Sequence, residues 1–126
     1  MNKALQIIQQ KINTIQSGLL RFTQKDDRVS LQVKASAGGD CSFDCVTEEE
    51  VRGLQDKEVK LVQRYKDDYI YITGKVEAVV KNKKTVISIL ILKACWFVRE
   101  SEGSMTWLKE KQVYELEANR SLRMAS

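Results

Sequence analysis

From Glu58 to Lys83 apolar and polar residues alternate in two runs that meet at the short turn Lys66-Asp67-Asp68. In the second run Tyr69, Tyr71 and Thr73 alternate with Ile70, Ile72 and Gly74, the two-residue period of a half-buried strand. The pattern predicts a hairpin of strands over Lys57 to Tyr65 and Asp68 to Val80. Gly74, in the middle of its strand, marks a bulge or the bend of a small barrel, where backbone must pass closely.

The same reading extends to both sides. Leu5, Ile8, Ile12, Ile15 and Leu19 recur at spacings of three and four between glutamines and lysines, which predicts an amphipathic helix over Asn2 to Ser17 with Gly18 as its stop. Leu19 to Thr23 and Val29 to Ser36 flank the polar turn Gln24 to Asp27 and form a second hairpin, the latter run alternating strictly. Ala37-Gly38-Gly39-Asp40 turns the chain into a third strand, Cys41 to Val46. Thr47-Glu48-Glu49-Glu50 has the form of a capping box and predicts a short helix to about Gln55, with Val51 and Leu54 facing the barrel. Two long strands complete the set, Thr85 to Arg99 and Met105 to Glu117 beyond the turn Ser101 to Ser104. Val86 to Leu92 is apolar on both faces, and its β-branched residues favour a central strand over a buried helix. The predicted class is mainly β: a six- to seven-stranded antiparallel barrel with an N-terminal amphipathic helix, one domain over 1–117, and a polar tail over 118–126 expected to fray.

Composition narrows the chemistry. A chain of 126 residues with 43% hydrophobic content buries enough surface to need no disulfide or structural metal. The three cysteines, Cys41, Cys45 and Cys95, read as reduced thiols, with Cys41, Phe43 and Cys45 on one strand face. With no histidine and no second closely spaced cysteine pair, a zinc site is not expected, and histidine-based catalysis and metal sites are excluded. A net charge of +4, with 21 Lys and Arg interspersed among 17 Asp and Glu, suits an ordinary solvated surface. Lys81, Lys83 and Lys84 read first as a hairpin turn between apolar strands. No secretory leader or membrane-length apolar run is visible, which points to the cytoplasm. Phosphate-loop and dinucleotide fingerprints are absent, and no residue stands out as catalytic.

The order of leading helix ending in GLLRFT, hairpin, third strand ending at Thr47, short helix, and the strand pair VKLVQRY and YIYITGKVEAV resembles the pyridoxamine 5'-phosphate oxidase-like split-barrel family, particularly its small general-stress-protein-like members that bind flavin mononucleotide (FMN). The likeness covers about Lys3 to Val80. It implies a homodimer with two flavin sites at the subunit interface, the flavin phosphate held by basic and hydroxyl groups of the second and third strands and the short helix. Carried onto this chain, these are Lys34, Thr47 and Arg52. The chain departs from the family in having no Arg-Pro pair on the second strand, in carrying Glu48, Glu49 and Glu50 where a basic residue is expected, and in running into a long hairpin after Val80. Carboxylates this close repel a phosphate. Trp96 and Trp107 are candidates for stacking on the flavin ring, or else core and dimer contacts.

Two functional readings follow. One is an FMN-binding split barrel, with an oxidoreductase activity of unidentified substrate as its extension. The other is a non-enzymatic barrel, either a split barrel without flavin or an OB-fold whose Tyr65, Tyr69 and Tyr71 beside Arg64, Lys66 and Lys75 bind single-stranded nucleic acid.

Overall fold

The computed structural model describes residues 3–14, 16–24, 26–38, 41–49, 51, 53–117 and 122–124. A helix, α1 (Lys3–Thr14), precedes eight strands: β1 (Ser17–Gln24), β2 (Asp27–Ala37), β3 (Ser42–Thr47), β4 (Glu58–Tyr65), β5 (Asp68–Lys81), β6 (Thr85–Glu102), β7 (Met105–Leu116) and β8 (Leu122–Met124). All pair antiparallel in the order β3-β2-β1-β4-β5-β6-β7-β8, and an additional pairing of β3 with β6 closes the first six into a ring. An OB-fold closes on five strands, so this topology overturns that alternative.

The ring is split because β6 is three times as long as β3, 18 residues against 6. The first part of β6 pairs with β3, from Thr47 opposite Thr85 to Ser42 opposite Leu90. Beyond Lys93 the same edge of β6 is taken over by β7, ending at Glu102 opposite Met105. A strand serving two sheets needs apolar side chains on both faces. Ile87, Ile89 and Ile91 point into the core with no exposure, while Val86, Leu90 and Leu92 are half-buried outside.

Gly74 behaves as its mid-strand position predicts. The β5–β6 register shifts between Thr73 and Gly74, and a Cβ at Gly74 would lie 2.3 Å from Ile89 Cγ2 and 2.8 Å from the Leu90 carbonyl oxygen. A second shift between Val76 and Ala78 bends β5 further.

Both ends of the barrel are plugged. At one end α1 lays Ile8 and Ile12, both fully buried, against the core. Lys11 reaches Asp68 at 3.5 Å and lies 4.1 Å from the centre of the Trp96 ring, whose Nε1 donates to Asp68 at 3.2 Å. At the other end Val51 and Leu54 are buried as expected, and the strand-like exchange of Asp56 and Lys57 with Val76 ties the segment down.

Three expectations are corrected. Gly18 does not stop the helix, which ends at Thr14 with the threonine hydroxyl bonded back to the Gln10 carbonyl; it sits inside β1, where a Cβ would meet Gln63 Cγ at 2.7 Å and the Val62 carbonyl at 2.8 Å. No helix forms among the described residues between β3 and β4: the Thr47 hydroxyl accepts the Glu49 amide two residues on, closing a turn, and the Thr85 hydroxyl donates to the Glu49 carbonyl. The tail contributes to the core, since β8 pairs with the end of β7 and Leu122 is 1% exposed. One apolar residue at the right register outweighs a polar neighbourhood.

Candidate functional site

Residues that face outward from the barrel share rows across it. Register places Lys34 opposite Ser17 and Val46, Leu19 opposite Gln32 and Val62, and Tyr71 opposite Val62. These rows form the floor of an open groove of about 1040 Å³ that crosses the outer face from β3 to β5. On its β3 side stand Thr47, Glu48, Glu49 and, from the β5–β6 turn, Lys84. The middle carries Ser30, Gln32, Lys34, Ser17 and Leu19, and the β5 side Val62, Arg64, Tyr69 and Tyr71.

Of the residues singled out from the sequence, Lys34 and Thr47 are brought to this one groove. Lys34 is exposed on the outer face of β2, whereas Thr47 is 5% exposed and its hydroxyl is engaged with the Glu49 amide. Arg52 and Glu50 lie outside the described residues. Glu48 and Glu49 line the groove, so carboxylates do stand on its β3 side. Neither tryptophan lines it: Trp96 is held under α1, and Trp107 is 40% exposed on the β6–β7 hairpin.

Arg64, Tyr69 and Tyr71 entered the sequence reading only as strand residues and as nucleic-acid contacts of the OB-fold alternative, and Lys84 as a turn residue. The signal that unites them is outward parity on adjacent strands, which becomes a site only once β1 is known to pair with β4.

On the β5 side the aromatic ring of Tyr69 organises two cations. Arg64 Cζ lies 5.4 Å and Arg99 Cζ 5.7 Å from its centroid, and an Arg99 N–H donates to the tyrosine hydroxyl. The backbone amide of Arg99 is bonded to the Asp67 carbonyl at 2.8 Å, so the β4–β5 turn fixes the strand that carries it. Tyr71 meets Phe97 edge-on at 5.3 Å between centroids, extending the groove's aromatic wall onto β6.

The thiols take no part in the groove. Burial pushes the Cys45 thiol up to about 12, with the Asp44 carboxylate adding to the effect. Cys95, half-buried on β6, is also raised, chiefly by burial, with Glu110 and Glu115 acting against Lys93. Among the described residues no cluster of three or more potential ligands is placed to hold a metal, and no helix is long and apolar enough to cross a membrane.

No protein-family model and no curated protein matches this chain. Solved structures do share its architecture. General Stress Protein 26 from Bacillus anthracis strain Sterne is similar with a TM-score of 0.55 and 15% identity, over 71% of this chain and 92% of that one. A candidate pyridoxamine 5'-phosphate oxidase from Listeria innocua is similar with a TM-score of 0.55 and 11% identity, over 84% of this chain and 98% of that one. The fold is that of the pyridoxamine 5'-phosphate oxidase-like split barrels. At these identities the likeness is one of backbone.

Proposed function

We propose that this protein is a flavin-binding split barrel that takes FMN in the outer groove as a homodimer. The observation that carries the reading is a groove, on this fold, that combines an apolar and aromatic floor with unequal charge: Leu19, Val62 and Tyr71 beside the cations Lys34, Arg64 and Lys84, against the carboxylates of Glu48 and Glu49. FMN requires both a flat apolar surface for its ring and cations for its phosphate, and these residues fit that requirement. Lys34 and Arg64 would hold the phosphate, and Tyr71 with Leu19 and Val62 would cover one ring face. The bound flavin would supply electron transfer, and the protein its orientation and exclusion of water. The groove is open along one side, as half of a site is before a second copy covers it.

Glu48 and Glu49 support a second reading, a split barrel that binds an uncharged or weakly anionic ligand without flavin. Titration with FMN followed by flavin fluorescence separates the two. Saturable quenching is expected, and no quenching at high micromolar FMN overturns the first reading.

A further inference from the structure

We infer that Arg64 and Arg99, both set against Tyr69, form an oxyanion-binding subsite for the phosphate or carboxylate of a small molecule lying in the groove, with Arg64 in its lining and Arg99 just beyond it. The proposal rests on geometry and extends the groove reading without depending on flavin. Both guanidinium groups lie against one aromatic ring, at 5.4 and 5.7 Å, and Arg99 is locked further by its bond to the Tyr69 hydroxyl. Among the described residues no carboxylate comes within ion-pair distance of either arginine. Glu100, next to Arg99 in the chain, is paired with Lys109 and Lys111 at 3.9 Å, and Asp68 is committed to Lys11 and Trp96. Two cations against one ring, with no carboxylate partner among the described residues, make a local excess of positive charge that an oxyanion offsets. A guanidinium held against a ring, or by a hydrogen bond as Arg99 is, presents its remaining N–H groups to an oxyanion at reduced entropic cost.

Position decides between this end of the groove and the β3 side. Arg64, on β4, is separated from Thr47 and the glutamates after β3 by the widths of β1 and β2, three strand spacings or roughly 14 Å along the sheet. That exceeds the screening length of about 8 Å at physiological salt, so Glu48 and Glu49 weaken an anion at Lys34 far more than one at Arg64. Tyr69 is 8% exposed and is engaged with the two cations, leaving Tyr71 on the same strand, together with Val62, to meet the rest of the ligand.

Arginine side-chain NMR of the intact protein tests this. Inorganic phosphate is expected to shift the Arg64 and Arg99 Nε–H resonances saturably, where chloride at equal ionic strength does not. Arg64→Met and Arg99→Met should each weaken phosphate about tenfold, the size expected for one charge-assisted hydrogen-bonding partner. Tyr69→Phe keeps the ring but frees Arg99, and should weaken it less. Equal shifts with phosphate and chloride, or undiminished phosphate binding by both arginine variants, overturn the proposal. If FMN binds, comparison with riboflavin identifies the source of the oxyanion. Phosphate competing with FMN but not riboflavin makes the flavin's own phosphate the occupant, and phosphate binding unchanged in the flavin complex assigns the subsite to a second, acidic ligand. If flavin does not bind, the phosphate titration still decides, so failure of the flavin reading and failure of this one are distinct results.

Discussion

Gly74 is the residue at which the barrel is tightest, and its substitution should be felt at once. Gly74→Ala would drive a methyl group into Ile89 Cγ2 and the Leu90 carbonyl, one of them immovable backbone. A loss of about 2 kcal/mol, read as a lower urea midpoint at unchanged slope, is expected for overpacking of this kind. Tyr114 is the opposite case. It is fully buried with a hydroxyl that finds no hydrogen-bond partner among the described residues, so Tyr114→Phe should be neutral or stabilise by up to about 1 kcal/mol in the same assay. The buried Cys45 thiol sets the alkaline limit. Its folded pKa, about 12, lies above the ordinary thiol value of 9.0, so its contribution to stability is complete below about pH 9 and is lost as pH rises toward 12. Over that window stability should fall by about 1.4 kcal/mol per pH unit from this group, with Tyr114, raised by the same burial, adding above pH 10. Urea midpoints measured across the window for the wild type and Cys45→Ala check the slope, which the variant should lessen.

At the scale of elements, what the periodicity legibly predicts is every strand of the ring. Strict alternation in β2 and β5 reports one buried face, and the two-sided apolar run in β6 reports a strand shared between β3 and β7. The errors fall where a local signal has a non-local competitor. Thr47-Glu48-Glu49-Glu50 reads as a helix start, but Thr47 and Thr85 point inward at the barrel mouth and their bonds to Glu49 hold a turn instead. The tail reads as polar because Leu122 is alone, and a single residue carries no period. Packing tests both ends of the chain. Ile12→Ala, on the buried face of α1, and Leu122→Ala, opposite Leu116 of β7, should each cost about 3 kcal/mol, the range for truncating a fully buried aliphatic side chain. A much smaller loss for Leu122→Ala would mean that β8 does not dock in solution.

For the whole molecule, the groove is the feature on which the proposed dimer rests. A dimer of twice 14.5 kDa is expected by light scattering, and Val62→Glu on the groove floor should shift it to monomer and abolish flavin binding together. Charge on the β3 side is tested separately: Glu48→Gln combined with Glu49→Gln should tighten FMN about threefold and leave riboflavin unchanged. An equal effect on both ligands would show that the carboxylates shape the groove without meeting the phosphate.

The sequence by itself determined the mainly antiparallel class, the leading amphipathic helix, the bend at Gly74 and the absence of histidine chemistry, because each is written in the period or identity of neighbouring residues. Lys34 and Thr47, marked by the family resemblance, both border the groove, Thr47 with its hydroxyl engaged in a turn. Only the tertiary structure decided that β3 closes on β6, that Arg64 and Arg99 meet on Tyr69, and that Leu122 is core. Those facts depend on pairing between strands distant in the chain, and register across such pairs is set by the packed barrel as a whole, not by any local run of residues.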